Sequence, residues 1–270
     1  PTERLGEGLG YFGVAQAVAT AIGPNLGLTI ANRAGYRMPI LVAVGFTLLS
    51  LAVIFALDAP EQEGEKQKID LGFVGQNLIA KEALPFILIN FCVGSFIGLE
   101  NSFLALYTGQ LGILNVGWYF TISAIVLMVS KLVLGRAADK YNFKVILIFG
   151  SAMVCIALFL LGTLRADIAV PTLITTAVIR SLGVGLLQPA LQAACFKSVP
   201  AERRSAASST YYLEMDLGVG SAPILGATLQ DRFDYSGMYL AYIAPFIASV
   251  FLYLGLSKKK RKGVHIETNQ

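Results

Sequence analysis

Five charged side chains sit inside long apolar stretches: Glu100, Lys131, Arg180, Glu214 and Asp216. A charge at the centre of a bilayer costs about 2.5 kcal/mol or more unless it is paired or meets water. Each is therefore half of an ion pair or a group that meets protons or a solute. Arg180 stands about twelve residues into its stretch, or ~18 Å along a helix, which places it near the midplane. It either faces a translocation pathway or forms an ion pair between helices. Glu214 is the first candidate for a proton-exchanging carboxyl, at a depth expected to match that of Arg180. Asp216 follows two residues later and points about 200° away on a helix, so only one of the two faces a pathway. Either could instead bond a hydroxyl such as that of Ser130 or Tyr212, and Asp216 could face another part of the molecule. Glu100, beside Asn101, is expected near the outer end of its stretch, as a substrate contact, an outer gate or a group reaching the headgroups. Lys131 stands where a long side chain snorkels to the interface.

The elements that hold these groups are spans rather than strands. Of the 270 residues, 55% are apolar and 14% charged, against about a quarter charged in soluble domains. The apolar residues gather into blocks close to the ~20 residues that cross a bilayer. Eight spans are predicted, at 9–31, 39–57, 84–106, 116–134, 145–162, 168–194, 206–229 and 238–256. Connections are short except 58–83, which is polar and divides the chain. Alternate loops carry very different positive charge: fifteen Lys and Arg on one side, four on the other. Positive charge stays cytoplasmic, so the termini, the 58–83 loop and the basic tail 257–270 are expected in the cytoplasm of a cell-membrane protein. Tyr107, Trp118, Tyr119 and Tyr239 fall at outer span ends and suggest an aromatic belt. Gln188 and Gln192, one turn apart, either line a pathway or bond across helices.

Other chemistries find little support. Cys92, Cys155 and Cys195 are isolated in apolar blocks, and the one histidine, His265, lies in the polar tail. No metal set, phosphate loop or nucleophile constellation is present, so neither an enzyme nor a cofactor is expected. Gly218-x-Gly220 lies inside a span with no preceding strand and is no dinucleotide loop. The basic residues follow membrane sidedness, which argues against nucleic-acid binding.

A long-period repeat orders the whole. Ala19-x-x-x-Gly23-Pro24-x-x-Gly27 recurs 199 residues later as Gly218-x-x-x-Ala222-Pro223-x-x-Gly226. Small residues four apart let another backbone approach closely in lipid, and proline kinks the rod. Both segments are read as inter-helix surfaces, a close-packed seam between halves that also slides. Six spans separate them, so the unit is six helices, and the four spans from residue 84 to 194 have counterparts expected before Pro1. The chain begins inside a loop, which suggests a piece of a longer protein. As given, it is not expected to transport alone.

These residues resemble the major facilitator superfamily, whose two six-helix halves are related by an axis along the membrane normal. Gly135-Arg136-Ala137-Ala138-Asp139-Lys140 looks like the family's loop signature between the second and third helices of a half. Arg180-x-x-Gly183-x-Gly185-x-x-x-Pro189 is similar to the Arg-Gly-Gly pattern of its fourth helix. Gly23-Pro24-x-x-Gly27 matches the core of the helix-five motif of drug:proton antiporters, although Ala19 and Leu28 stand where that motif has glycine. In the loop signature Asn142 and Phe143 replace the usual glycine and arginine.

The resemblance implies an all-α integral membrane bundle of the major-facilitator type, with eight transmembrane helices of an expected twelve. Residues 1–57 would hold the last two helices of the N-terminal half and 84–256 the complete C-terminal half. It further implies that Gly135, Arg136, Asp139 and Lys140 form a cytoplasmic gate, and that Arg180, Glu214, Asp216 and Glu100 serve proton coupling or the substrate pathway. The expected partners are a small-molecule substrate, protons, the lipid bilayer and the four missing helices. The function implied is a secondary transporter, a proton-coupled exporter of small organic molecules. An importer or facilitator of sugars or organic anions, and a non-transporting receptor or scaffold, are the alternatives.

Overall fold

The computed structural model describes residues 18–19, 22–23, 25–56, 86–113, 115–134, 141–200 and 203–267, with side chains as far as residue 255 except at 132, 134 and 205. The 58–83 loop, Pro24, the Gly135–Lys140 signature and the side chains of the basic tail lie outside the described residues. Helix α1 covers residues 25–34, and α2 is Arg37–Ala56. They are followed by α3 (Ile87–Gln110), α4 (Gly117–Leu134), α5 (Phe143–Gly162), α6 (Ala169–Lys197, after a 3-10 turn at Ala166–Ile168), α7 (Arg204–Ala241) and α8 (Ile243–Glu267). Among the described residues, five helical stretches are long and apolar enough to cross a membrane. The last, Ala206–Gly255, takes in the predicted seventh and eighth spans together.

The gap expected between residues 229 and 238 is therefore helical almost throughout. The break is confined to Asp234, at φ 58 and ψ −174. Its Oδ1 accepts from the Gly237 N–H, so Asp234 caps a new helical turn and restarts the rod earlier than hydropathy predicts. Near Tyr242 the rod is interrupted again, four residues after Met238 and three before Pro245, whose ring lacks an N–H and crowds the carbonyl of the preceding turn. The third span also runs further than expected, to Gln110. Its polar end is satisfied locally, with the Thr108 hydroxyl donating to the Leu104 carbonyl and Tyr107 donating to that of Leu164.

The core lies inside the bundle of α3 to α8. Helix α3 packs most extensively on α7, α5 on α6, and α4 on α6. A Cβ at Gly94 would overlap the Met215 carbonyl, and one at Gly98 would come within 2.6 Å of both Ala222 Cβ and the Val219 carbonyl. On the facing helix, a Cβ at Gly218 would strike the Phe91 carbonyl and one at Gly226 would strike Leu99 and Phe103. The register rises together from Gly94 to Phe103 and from Met215 to Gly226, so α3 and the part of α7 before Asp234 run parallel; beyond Asp234 the chain turns back along α3, with Tyr235 at Tyr107 and Tyr253 at Phe86.

The small-residue ladder corrects the sequence reading in one respect. Among the described residues, Gly218, Ala222 and Gly226 pack on the Gly94-x-x-x-Gly98 face of α3, within 84–256, and not on residues 18–56. Pro223 points outward and is exposed. Gly23 and Gly27 meet nothing within 4 Å, and with α2 they border an open apolar groove. Where the two parts of the chain touch, Asn25 of α1 donates to the Thr121 hydroxyl of α4 at 3.4 Å.

Candidate functional site

Two buried carboxyl groups mark two levels of the bundle. The upper one is Glu100, in the middle of α3 and fully buried. Arg180 Nε of α6 donates to its Oε2 at 2.6 Å, and the Tyr119 hydroxyl of α4 donates to its Oε1 at 2.5 Å. The guanidinium also lies over the Phe96 ring, 6.0 Å from its centre. Glu100 thus reaches neither headgroups nor an outer surface. Its expected place near the outer end followed from ending the span at residue 106, and the helix continues beyond. Arg180 is 8% exposed, so this pair is interior to the bundle of α3 to α8 and, with Tyr119, ties α3, α4 and α6 together.

The tyrosines expected in an aromatic belt belong to the same interior. Tyr107, Tyr119 and Tyr239 are buried, and Tyr107 stacks on Tyr235 at 5.5 Å and packs against Tyr239 at 6.0 Å. Their hydroxyl groups make them span-end residues by composition, but the helices run on past Tyr107 and begin before Tyr239, and Tyr119, in the first turn of α4, turns its hydroxyl inward to Glu100. Trp118 is half-buried against the core.

The lower level holds Glu214 of α7, 4% exposed. Asn90 of α3 donates through Nδ2 to the Tyr211 carbonyl at 2.6 Å and to Glu214 Oε2 at 3.4 Å. Glu214 Oε1 has no hydrogen-bond partner among the described residues, and no Lys or Arg among them is ion-paired to this carboxylate. The hydroxyls expected to bond it do not: Ser130 sits against Gly185, and Tyr212 accepts from Gln192. Nor does Glu214 share the depth of Arg180. The partners Asn90 and Glu100 are ten residues apart on α3, which separates the two levels by ~15 Å.

Asp216 is exposed on the opposite side of α7, so the 200° argument separates the two acids as expected. Lys131 is exposed in the last turn of α4, consistent with snorkelling. Gln188 and Gln192 both bond across to α7, to Met215 Sδ at 3.7 Å and to Tyr212 at 3.4 Å. Gly135, Arg136, Asp139 and Lys140 fall outside the described residues. Among the described residues no cluster of His, Cys, Asp or Glu has metal-ligand spacing. Asn90 is the site residue that sequence reasoning missed. It is uncharged and stands near the start of a span, and only its amide opposite Tyr211 gives it significance.

The sequence profile of the Major Facilitator Superfamily matches residues 86–268, the stretch that builds this bundle. The chain belongs to the major facilitator superfamily. An uncharacterized MFS-type transporter of Methanocaldococcus jannaschii is 24% identical over 96% of this chain and 68% of its own length. The uncharacterized MFS-type transporter YhhS of Escherichia coli K12 is 23% identical over 97% of this chain and 62% of its own length. The staphylopine export protein of Staphylococcus aureus Mu50 is 22% identical over 96% of this chain and 67% of its own length. The chain thus spans only about two thirds of these transporters. As a major facilitator protein it is a multi-pass membrane protein of a transporter family, not an enzyme.

Proposed function

We propose that this chain is the larger part of a proton-coupled exporter that moves a small organic molecule by alternating access, with Glu214 as the proton-exchanging group. The observation that carries the reading is the contrast between its two buried acids. Glu100 has its charge matched by Arg180, whereas Glu214 has one amide donor and no ion-paired cation among the described residues. At such a carboxyl, binding one proton changes the local charge by a full unit. A switch between two states needs a ligand with different affinity for each, and the proton supplies that difference if Glu214 meets the pathway in only one state. Export is supported by the staphylopine export protein among the relatives and by the Gly23-Pro24-x-x-Gly27 segment.

In this reading Arg180 and Glu100 are the fixed strut of the C-terminal half, and the solute does not displace their bond. Asp216 faces the other half, and residues 1–57 complete that half together with helices outside this chain. The Gly135-Arg136-Asp139-Lys140 loop gates the cytoplasmic side of the cell membrane, where the termini and the 58–83 loop also lie.

The test uses everted membrane vesicles carrying the longer protein that contains this chain, with an inward-acid pH gradient and a panel of fluorescent amphipathic organic probes. At least one probe accumulates, and both Glu214→Gln and collapse of the gradient abolish that accumulation. Accumulation that survives Glu214→Gln with its gradient dependence intact refutes the assignment.

A further inference from the structure

A second cavity, lined by neither acid, lies at the end of the bundle where the basic loops gather. It has a volume of about 270 Å³, below the roughly 300–1,000 Å³ of pockets for drug-sized ligands. Its floor is one face of α6. Ala190, Ala193, Ala194 and Lys197 are spaced i, i+3, i+4 and i+7, the positions that share a helix face. Three alanines leave the hollow, and Lys197, exposed in the last turn of α6, supplies a cation at its rim. The facing wall is aromatic: Phe143 at the start of α5 and Tyr253 of α8 meet edge to face at 5.4 Å. Among the described residues no acidic side chain lines the cavity. Lys144 follows Phe143, and the run Lys258 to Lys262 follows Tyr253 within three turns of helix.

A hollow whose described lining is an apolar and aromatic wall with a lysine at its mouth matches a phosphate-bearing molecule whose other part is hydrocarbon. We propose that this cavity binds one anionic phospholipid, with the phosphodiester on Lys197 and the start of an acyl chain over the three alanines. Two features favour a lipid over a soluble phosphate. The hollow lies between spans of a membrane protein, and its wall offers hydrocarbon contact along most of its surface. Basic pockets between helices on the cytoplasmic side hold anionic headgroups in just this way.

The experiment is native mass spectrometry of the full chain released from detergent with equal amounts of phosphatidylglycerol and phosphatidylcholine. The wild type keeps one phosphatidylglycerol through stepwise delipidation. Lys197→Gln lowers that retention about fivefold, the equivalent of about 1 kcal/mol for one lysine near an anionic headgroup. Lys197→Arg keeps it, and Ala194→Leu, which fills the hollow without changing charge, loses it. Lys144→Gln, a neighbouring charge outside the cavity, leaves it within about twofold. Equal retention in Lys197→Gln and Ala194→Leu overturns the site. Equal loss in Lys144→Gln reduces it to general attraction of basic loops for anionic lipid and also overturns it. Glycerol 1-phosphate is the soluble probe: Lys197-dependent binding of it as strong as that of the lipid would make this a free-phosphate site and overturn the lipid assignment. A thermal melt of each variant identifies any that fails to fold, and Ala193→Phe then replaces Ala194→Leu.

Discussion

Removing Arg180 and removing its partner have different consequences from removing both. Arg180→Met leaves Glu100 fully buried with only the Tyr119 hydroxyl against it. Glu100→Leu leaves the guanidinium buried over Phe96. Either change strands one charge, and breaking a buried pair in this way costs about 3–5 kcal/mol. For a body of 150–250 residues that is a fall in melting temperature of roughly 10 °C. The double variant Glu100→Leu/Arg180→Met leaves no charge behind. It is expected at the wild-type melting temperature or above it, because replacing a buried pair by packed apolar groups is often neutral or stabilising. The coupling energy is therefore about 6–10 kcal/mol, the sum of the two single costs, with the second substitution rescuing the first. Cys92 and Cys195 are buried and all three cysteines are free, so a thiol-reactive dye reports unfolding in detergent. If the double variant melts as low as the singles, or the singles melt with the wild type, the pair is not the internal strut described above.

Two further changes test the packing around it. Tyr119→Phe deprives Glu100 Oε1 of its donor and is expected to cost about 1.5–3 kcal/mol, the range for hydrogen bonds to charged groups. In the Glu100→Leu/Arg180→Met background the same change has a much smaller effect by the same dye assay. Gly94→Ala forces α3 off the Met215 carbonyl and is expected to abolish the monodisperse peak in fluorescence size-exclusion. Gly220→Ala, on an open face with nothing within 4 Å, leaves that peak unchanged.

Much of the architecture is legible in the residues because lipid allows few solutions. Long apolar blocks with charges only at costly, purposeful places read as helices, and Arg180 announces itself by its expense. Partners are harder to read than costs. Glu100 lies eighty residues from Arg180, and hydropathy ends the third span at residue 106 where the helix runs to Gln110, which sets Glu100 at the wrong depth. The helix runs on because Tyr107 and Thr108 find carbonyls to bond, a satisfaction that hydropathy cannot register. The tyrosines differ for a related reason: composition puts them at span ends, while the Tyr119 hydroxyl bonds Glu100, the Tyr107 hydroxyl bonds the Leu164 carbonyl, and the rings of Tyr107 and Tyr239 pack together. The partner of Gly218 and Ala222 was readable, since Gly94 and Gly98 are also small residues four apart. Asn90 carried no such signal, because an amide becomes part of a site only when the fold places it between a carbonyl and a carboxylate.

The account turns on which buried acid exchanges a proton. Infrared difference spectra between acid and alkaline pH, recorded on the protein in lipid, read the protonated carboxyl group directly. Beside the contribution of exposed acids such as Asp216, one component of the pH-dependent carboxyl band is expected in the wild type and in Glu100→Leu/Arg180→Met, and its absence is expected in Glu214→Gln. A band that persists in Glu214→Gln and vanishes in the double variant would contradict the account and move the proton to Glu100.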